Sequence, residues 1–473
     1  MKIKALKVPF KMRDLMLIFL GLLIGGGVSF TSVEVNNEIL LLTLPLIFIF
    51  FLLIIFKWPE ISFCLFINAG IYKADPRLNF LPDFLDLTIF FGLMTILGIT
   101  YNLAIKKIKF ILPPKGLFIP YIIISLLGTF SLIYTPAPIY GSSKLLKFLT
   151  ITLLSMLLPF FILTNVSSIN RFFAVFLFLS VLIILDLISQ GINPVEIAFH
   201  AALGSNYLAV GRISGVAAII VLFYFFQNAR YKAIKFFYFS LFIVLLAGSL
   251  YSGGRGPVIA LFTAMFIIFL YELFIVYKDL LILRIKKFHL KLSILMISVF
   301  LILVAILKNY SSYFETLIYR MELLMTGKGE SFIGRMERFR YAWNILISPK
   351  GITGLGIGGF SVYYAGFDDE RGDYPHNIFL EIGSELGWLG LLTFIFFIYR
   401  SFFNSIFILK NFKNLHEKHL AITLFVLLLF MLFNSSISGD INDNRILFTV
   451  IGTIYKWKIL SKEKSYYDKN LSH

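Results

Sequence analysis

The chain has 473 residues, 59% hydrophobic and only 15% charged, with a formal net charge of +17. Soluble domains run nearer half apolar and a quarter charged, and the apolar runs here do not alternate as the short strands of a membrane barrel would. The positive charge does not indicate a nucleic-acid partner. Its lysines and arginines fall in short clusters between apolar runs rather than on one soluble face, as the loops of a helical membrane protein do. An all-α polytopic membrane protein with about 12–14 transmembrane helices is therefore expected. Membrane lipids, anionic on the inner leaflet, suit such basic loops.

A basic N-terminus (Lys2, Lys4, Lys7, Lys11, Arg13) precedes the first apolar run, and no small-residue cleavage site follows it, so this run reads as a retained span. Runs of about 20 residues cross a hydrocarbon core of roughly 30 Å. On that measure the spans fall near 14–30, 39–56, 59–72, 84–104, 117–133, 146–164, 171–189, 207–226, 235–250, 256–277, 290–307, 387–409, 419–436 and 442–458. Cys64, the sole cysteine, lies inside an apolar run, which leaves no disulfide framework and no cysteine metal site. Lysine and arginine clusters at 106–115, 230–235, 284–291 and 410–418 all fall on one side if both termini are cytoplasmic. Segments such as 73–83, 134–145, 190–206 and 437–441 are then external. The same parity divides the chain into an N-terminal helix bundle (1–307), a long extracytoplasmic loop (308–386), C-terminal membrane helices (387–460) and a cytoplasmic tail (461–473).

Five polar features stand out against this background. Arg212, in Gly211-Arg212-Ile-Ser-Gly215, falls a turn or two inside its span. A charge there is costly unless paired or hydrated, so it reads as functional or as paired with an acid such as Asp186 or Asp440. Arg255 closes Ser252-Gly253-Gly254-Arg255-Gly256-Pro257. Pro257 suits the first turn of a helix, so the guanidinium stands at a helix N-terminus, a place for a phosphate or for lipid headgroups. The third is Arg335, after Gly334, with Arg338 and Arg340 close behind. Tyr341, Trp343 and Ile347 make 333–347 an amphipathic helix suited to the membrane surface. The glycine run 351–359 follows no strand and opens no nucleotide-binding unit, so it reads as a tight turn folding the loop onto the bundle, or as an amide nest for an anion. His376, in Tyr374-Pro375-His376-Asn377, is expected at the start of a short helix over 377–386. A histidine there can take a proton from a hydroxyl nucleophile. The other histidines are scattered, and no metal site or cofactor is called for.

Taken in order, S-G-G-R-G before a span, G-R-x7-W, G-x-G-x-G-G-F, P-H-N-x-F-L-E-x8-G and Asn434-Ser435-Ser436 near Asp440 resemble the O-antigen ligase and O-antigen polymerase superfamily over about residues 200–450. That resemblance implies a C-type membrane glycosyltransferase of the cell envelope. Its donor is an undecaprenyl-pyrophosphate-linked glycan on the extracytoplasmic face of the inner (cytoplasmic) membrane. Its acceptor is a glycan or lipid hydroxyl, as in lipopolysaccharide and other polysaccharide biosynthesis, with chain-length or export proteins as its protein partners. It further implies catalytic roles for His376, Arg255 and Arg335, and substrate contacts for Arg212, Arg338, Gly256 and Asn377, without a metal. In-line attack would invert the anomeric centre. Polymerase and ligase stay undivided by the sequence. The rival class is a transporter or flippase of lipid-linked sugars, which would place ionisable residues at mid-membrane.

Overall fold

The computed structural model describes residues 54–79, 85–190, 200–281, 311–369, 372–412 and 414–470, and a few positions between 294 and 309. The expected spans 14–30, nearly all of 39–56 and most of 290–307 lie outside the described residues. In chain order the helices are α1 (Pro59–Tyr72), α2 (Leu87–Ala104), α3 (Lys115–Ser131), α4 (Pro138–Ile162), α5 (Val166–Ser189), α6 (Tyr207–Asn228), α7 (Lys232–Tyr251) and α8 (Arg255–Leu281). They continue with α9 (Glu315–Met325), α10 (Glu330–Ile347), α11 (Gly359–Ala365), α12 (Ile378–Asn411), α13 (Leu415–Ser435) and α14 (Arg445–Asn470). No strand occurs among the described residues. Eight of the helices, α2, α4 to α8, α12 and α13, are long and apolar enough to cross a membrane. The protein is an all-α polytopic membrane protein.

Helix α4 begins at Pro138 rather than near 146. Proline fits a first helical turn, and Lys144, expected in an external segment, is satisfied inside the protein. Helix α12 also starts earlier than the expected span at 387. Its first stretch is a short helix ending at Gly387, where φ is 70° and ψ is −172°.

The chain forms two units. The described part of one holds α1 as far as Ala69, α2 with its flanks to Ile111, and Phe161–Phe176. Phe63 stacks on Phe172 there, Arg171 pairs with Glu60, and Asn102 Nδ2 donates to the Phe56 carbonyl at 2.7 Å. The other unit holds the described part of Gly70–Phe80, Leu112–Phe160 and the described residues from Leu177 onward. At its centre are α6 and α13, whose apolar windows are 78% and 83% buried. Small residues let these backbones approach, as in membrane helices generally. A Cβ at Gly215 would lie 2.6 Å from Phe430 of α13.

The segment between α10 and α11 folds back on the short first stretch of α12. Leu355 and Gly356 donate their amides to the carbonyls of Ser384 and Glu385, both at 2.9 Å, and Ile357 donates to Ser131 Oγ at 2.9 Å. A helix leaves its last carbonyls without intrahelical partners, and the glycine run supplies donors for two of them. These three amides are thus engaged with protein acceptors, and the run acts as a turn. Gly387 is held where a side chain would be strained and where a Cβ would stand 2.4 Å from the Ile352 carbonyl oxygen. Gly387→Ala should therefore cost about 1–3 kcal/mol of stability or more. A thermal melt followed by circular dichroism in detergent checks this, and an unchanged midpoint would show that the bend tolerates a side chain.

Candidate active site

His376 is placed by the start of α12. Asn377 caps that helix, its Oδ1 accepting from the amides of Phe379 and Leu380 at 3.0 and 3.1 Å. The side-chain oxygen of Asn377 is thus occupied by the cap. His376 itself has a φ of 58°, a left-handed conformation that is uncommon for residues with a Cβ. Its ring lies 4.4 Å from that of Tyr374. Nδ1 is buried and meets no hydrogen-bond partner. Burial, then the charges of Arg335 and Arg338, hold its pKa down at about 4, against the opposing pull of Asp373 and Asp440. The imidazole is therefore neutral at ordinary pH and keeps a free lone pair.

Three arginines from three elements lie near one another, and one of them, Arg335, acts on this ring. Arg255 opens α8 and is only 7% exposed. It donates from Nη1 to the Arg320 carbonyl at 2.7 Å and from Nη2 to Ser331 Oγ at 2.8 Å. Arg320, on α9, answers by donating to the Gly253 carbonyl in the turn before α8, and its guanidinium sits 5.0 Å from the Tyr207 ring. Arg335 lies one turn beyond Ser331 on α10. Among the described residues it makes no hydrogen bond and no ion pair. Burial holds its pKa below the ordinary value, and the neighbouring Arg320 adds to that. No carboxylate among the described residues pairs with Arg255 or Arg335. Like charges gathered out of water without a counter-charge are costly, and an anion would relieve them. Gly256 brings the start of α8 against Ile437, whose Cδ1 would be 2.9 Å from an added Cβ.

Arg338 has a different place. Its fork grips Asp373, with Nε at 3.1 Å from Oδ1 and Nη2 at 2.8 Å from Oδ2, and it lies 5.0 Å from the Tyr364 ring. Asp373 Oδ1 also accepts from the Tyr374 amide at 2.8 Å. Arg338 thereby braces the stretch that leads to His376. Arg212 is on α6, its Nε buried and without a partner. Of the acids expected to pair with it, Asp186 is bound by Arg77 at 2.8 Å and Asp440 caps the turn Ile441–Asp443. Arg212 feels instead the charge of Asp443.

Residues 197–395 match the family model described as O-antigen ligase. This segment is similar to the O-antigen ligase family. It carries Arg212, Arg255, Arg335, Arg338 and His376, whereas Lys144 and the Gly439–Asp443 turn lie outside it. No curated protein sequence matches the chain.

Two groups beside the O-antigen ligase residues were not singled out by the sequence. Arg320 is one. Its only signal was a cation within the mixed-charge helix Glu315–Met325, where glutamates at 315 and 322 made it look like an ordinary surface charge. The other is a buried ion cluster. Lys144 Nζ lies 2.6 Å from Glu381 Oε1 and 2.7 Å from Glu385 Oε2, and all three side chains are at most 3% exposed. Glu381 and Glu385, four apart, share one helical face. The cluster ties α4 to the short stretch of α12 that starts just after His376. Removing one partner from a buried ion pair leaves an uncompensated charge. Lys144→Met should cost about 3–5 kcal/mol, whereas the triple variant Lys144→Met, Glu381→Gln, Glu385→Leu should recover much of that. Thermal unfolding of the purified proteins tests this, and a single variant as stable as the wild type would contradict it.

Proposed function

We propose that the protein transfers a glycan from an undecaprenyl-pyrophosphate donor to an acceptor hydroxyl on the extracytoplasmic face of the cytoplasmic membrane. The observation that carries this reading is the proximity of His376, whose buried Nδ1 has no hydrogen-bond partner, to Arg335, which like Arg255 pairs with no carboxylate among the described residues. The acceptor hydroxyl attacks the anomeric carbon. Its proton passes to the free imidazole nitrogen of His376 as the new glycosidic bond forms. The bond from the anomeric carbon to the pyrophosphate oxygen breaks, and the pyrophosphate leaves with the electron pair. Arg335, with Arg255 and Arg320 behind it, stabilises that developing charge without reorganising. Attack opposite the leaving group inverts the anomeric centre. The guanidinium groups carry the phosphate charge in this scheme, so no step is routed through a metal. Residues 308–386 serve as the catalytic loop between the helix bundle 1–307 and the C-terminal spans 387–460. The same chemistry serves a polymerase that extends a repeat-unit glycan and a ligase that places a finished glycan on a lipid or wall acceptor.

Burial of His376, with the arginine charges beside it, sets the pH behaviour. A depressed pKa keeps the base unprotonated down to about pH 4. Bound pyrophosphate offsets the arginine charges and raises that value. The acid limb of kcat/KM, which reports the free enzyme, should therefore fall near pH 4, and the limb of kcat should lie higher. His376→Ala should cut transfer by about 10²–10⁴-fold with donor binding nearly intact. Arg335→Ala should weaken both donor binding and transfer, and lysine should restore little, since a point charge does not reproduce the guanidinium fork. Turnover of polyprenyl-pyrophosphate glycan by the purified variants, with and without EDTA, is the measurement. Wild-type rates in either alanine variant would overturn the assignment.

A further inference from the structure

Beside the proposed base, one arginine and one aspartate face each other without closing on each other. Arg212 and Asp443 interact electrostatically, yet they form no ion pair or side-chain hydrogen bond among the described residues. Gly439 lies between them. A Cβ at that glycine would stand 3.6 Å from Arg212 Nη2 and 3.6 Å from Asp443 Oδ2, and it would fill the gap. The backbone there has a φ of 83°, a conformation that glycine adopts at little cost. The groups around the gap are held from outside it. Asp440 Oδ1 accepts from the amides of Asn442 and Asp443, both at 2.8 Å, and fixes the turn. Arg212 belongs to a helix packed against α13. Tyr374 feels the charges of both Arg212 and Asp443 and lies 4.4 Å from His376. Two buried polar atoms here meet nothing: Arg212 Nε, and Oε2 of Glu381, a residue that is 1% exposed. Buried polar groups are normally satisfied, so such exceptions call for an explanation.

We propose that Arg212, Asp443 and Tyr374 form the acceptor subsite and that it takes a neutral pyranose through its free hydroxyls. This rests on the function proposed above. A sugar hydroxyl both donates and accepts. Asp443 accepts from one hydroxyl, and Arg212 donates to a neighbouring one. The Tyr374 ring offers the apolar face on which a pyranose can lie. An acidic sugar would meet Asp443 and Asp440, and an amino sugar would meet Arg212, so the mixed pair favours an uncharged ring. A site built to bond hydroxyls discriminates strongly against analogues that lack them. His376 then stands beside the hydroxyl that attacks.

The test is saturation-transfer NMR on the full-length protein in lipid nanodiscs, without donor. The probes are the methyl pyranosides of glucose, galactose and mannose and methyl N-acetylglucosaminide. At least one of these should receive saturation from the wild type. Asp443→Asn and Arg212→Lys should each weaken its binding by about tenfold or more, because the first loses a charged acceptor and the second loses the reach and fork of the guanidinium. Arg335→Ala, which impairs the donor side alone, should bind it as the wild type does. A wild type that saturates none of the glycosides would overturn the proposal, as would two folded variants that bind like the wild type. Because no donor is present, failure here leaves the pyrophosphate reading standing. Conversely, intact glycoside binding with unimpaired turnover in Arg335→Ala would sink the donor reading alone. Should Asp443→Asn fail to fold, Arg212→Lys with a wild-type melting profile decides the matter.

Discussion

A protein interior offers no water to a charge, so each buried cation in this protein must find its partner within the fold or in a ligand. That constraint sorts the cations. Lys144 is closed off by two glutamates and contributes architecture. Arg338 is closed off by Asp373 and contributes placement. Arg255 is met only by a carbonyl and a hydroxyl, which orient the guanidinium and leave its charge uncancelled. Arg335 meets no partner among the described residues, and Arg212 faces an aspartate across a gap. Arg335 acts on His376, Arg255 lies near Arg335, and Arg212 lies near Tyr374; the proposed chemistry draws on that pattern.

The architecture follows from the same constraint. A short helix that ends at Gly387 would leave its last carbonyls bare, and the glycine run 351–359 supplies amides to Ser384 and Glu385. Lys144 binds the side chains of Glu381 and Glu385 on that helix. His376 is thereby set between a rigid cap at Asn377 and a braced strand of backbone at Asp373 and Tyr374. Its left-handed backbone is a local cost that the surrounding contacts over-determine, as is common where a side chain must be aimed.

Much of this was legible in the chain. The helical membrane class followed from long apolar runs, and eleven of the described helices stand where those runs lie. Arg255, Arg335 and His376 stood out because a charge or a P-H-N turn is conspicuous against apolar sequence. What stayed hidden was long-range pairing. Lys144 sits 237 and 241 residues from Glu381 and Glu385, and nothing local marks a lysine as buried. Arg320 was masked by neighbouring glutamates. Arg338 looked like its two neighbours until Asp373 was seen in its fork. Asp443 was overlooked in favour of Asp440, because only the turn at Gly439 decides which of the two faces Arg212.

The central claim is that a pyrophosphate-bearing donor binds the arginines beside a neutral His376. Its most direct measurement is the titration of His376 by NMR, on protein with selectively labelled histidine, with and without undecaprenyl pyrophosphate. The imidazole should titrate at about 4 in the free protein and higher once pyrophosphate offsets the charges of Arg335 and Arg338. A pKa that starts near 6.5, or one that saturating pyrophosphate leaves unchanged, would contradict it.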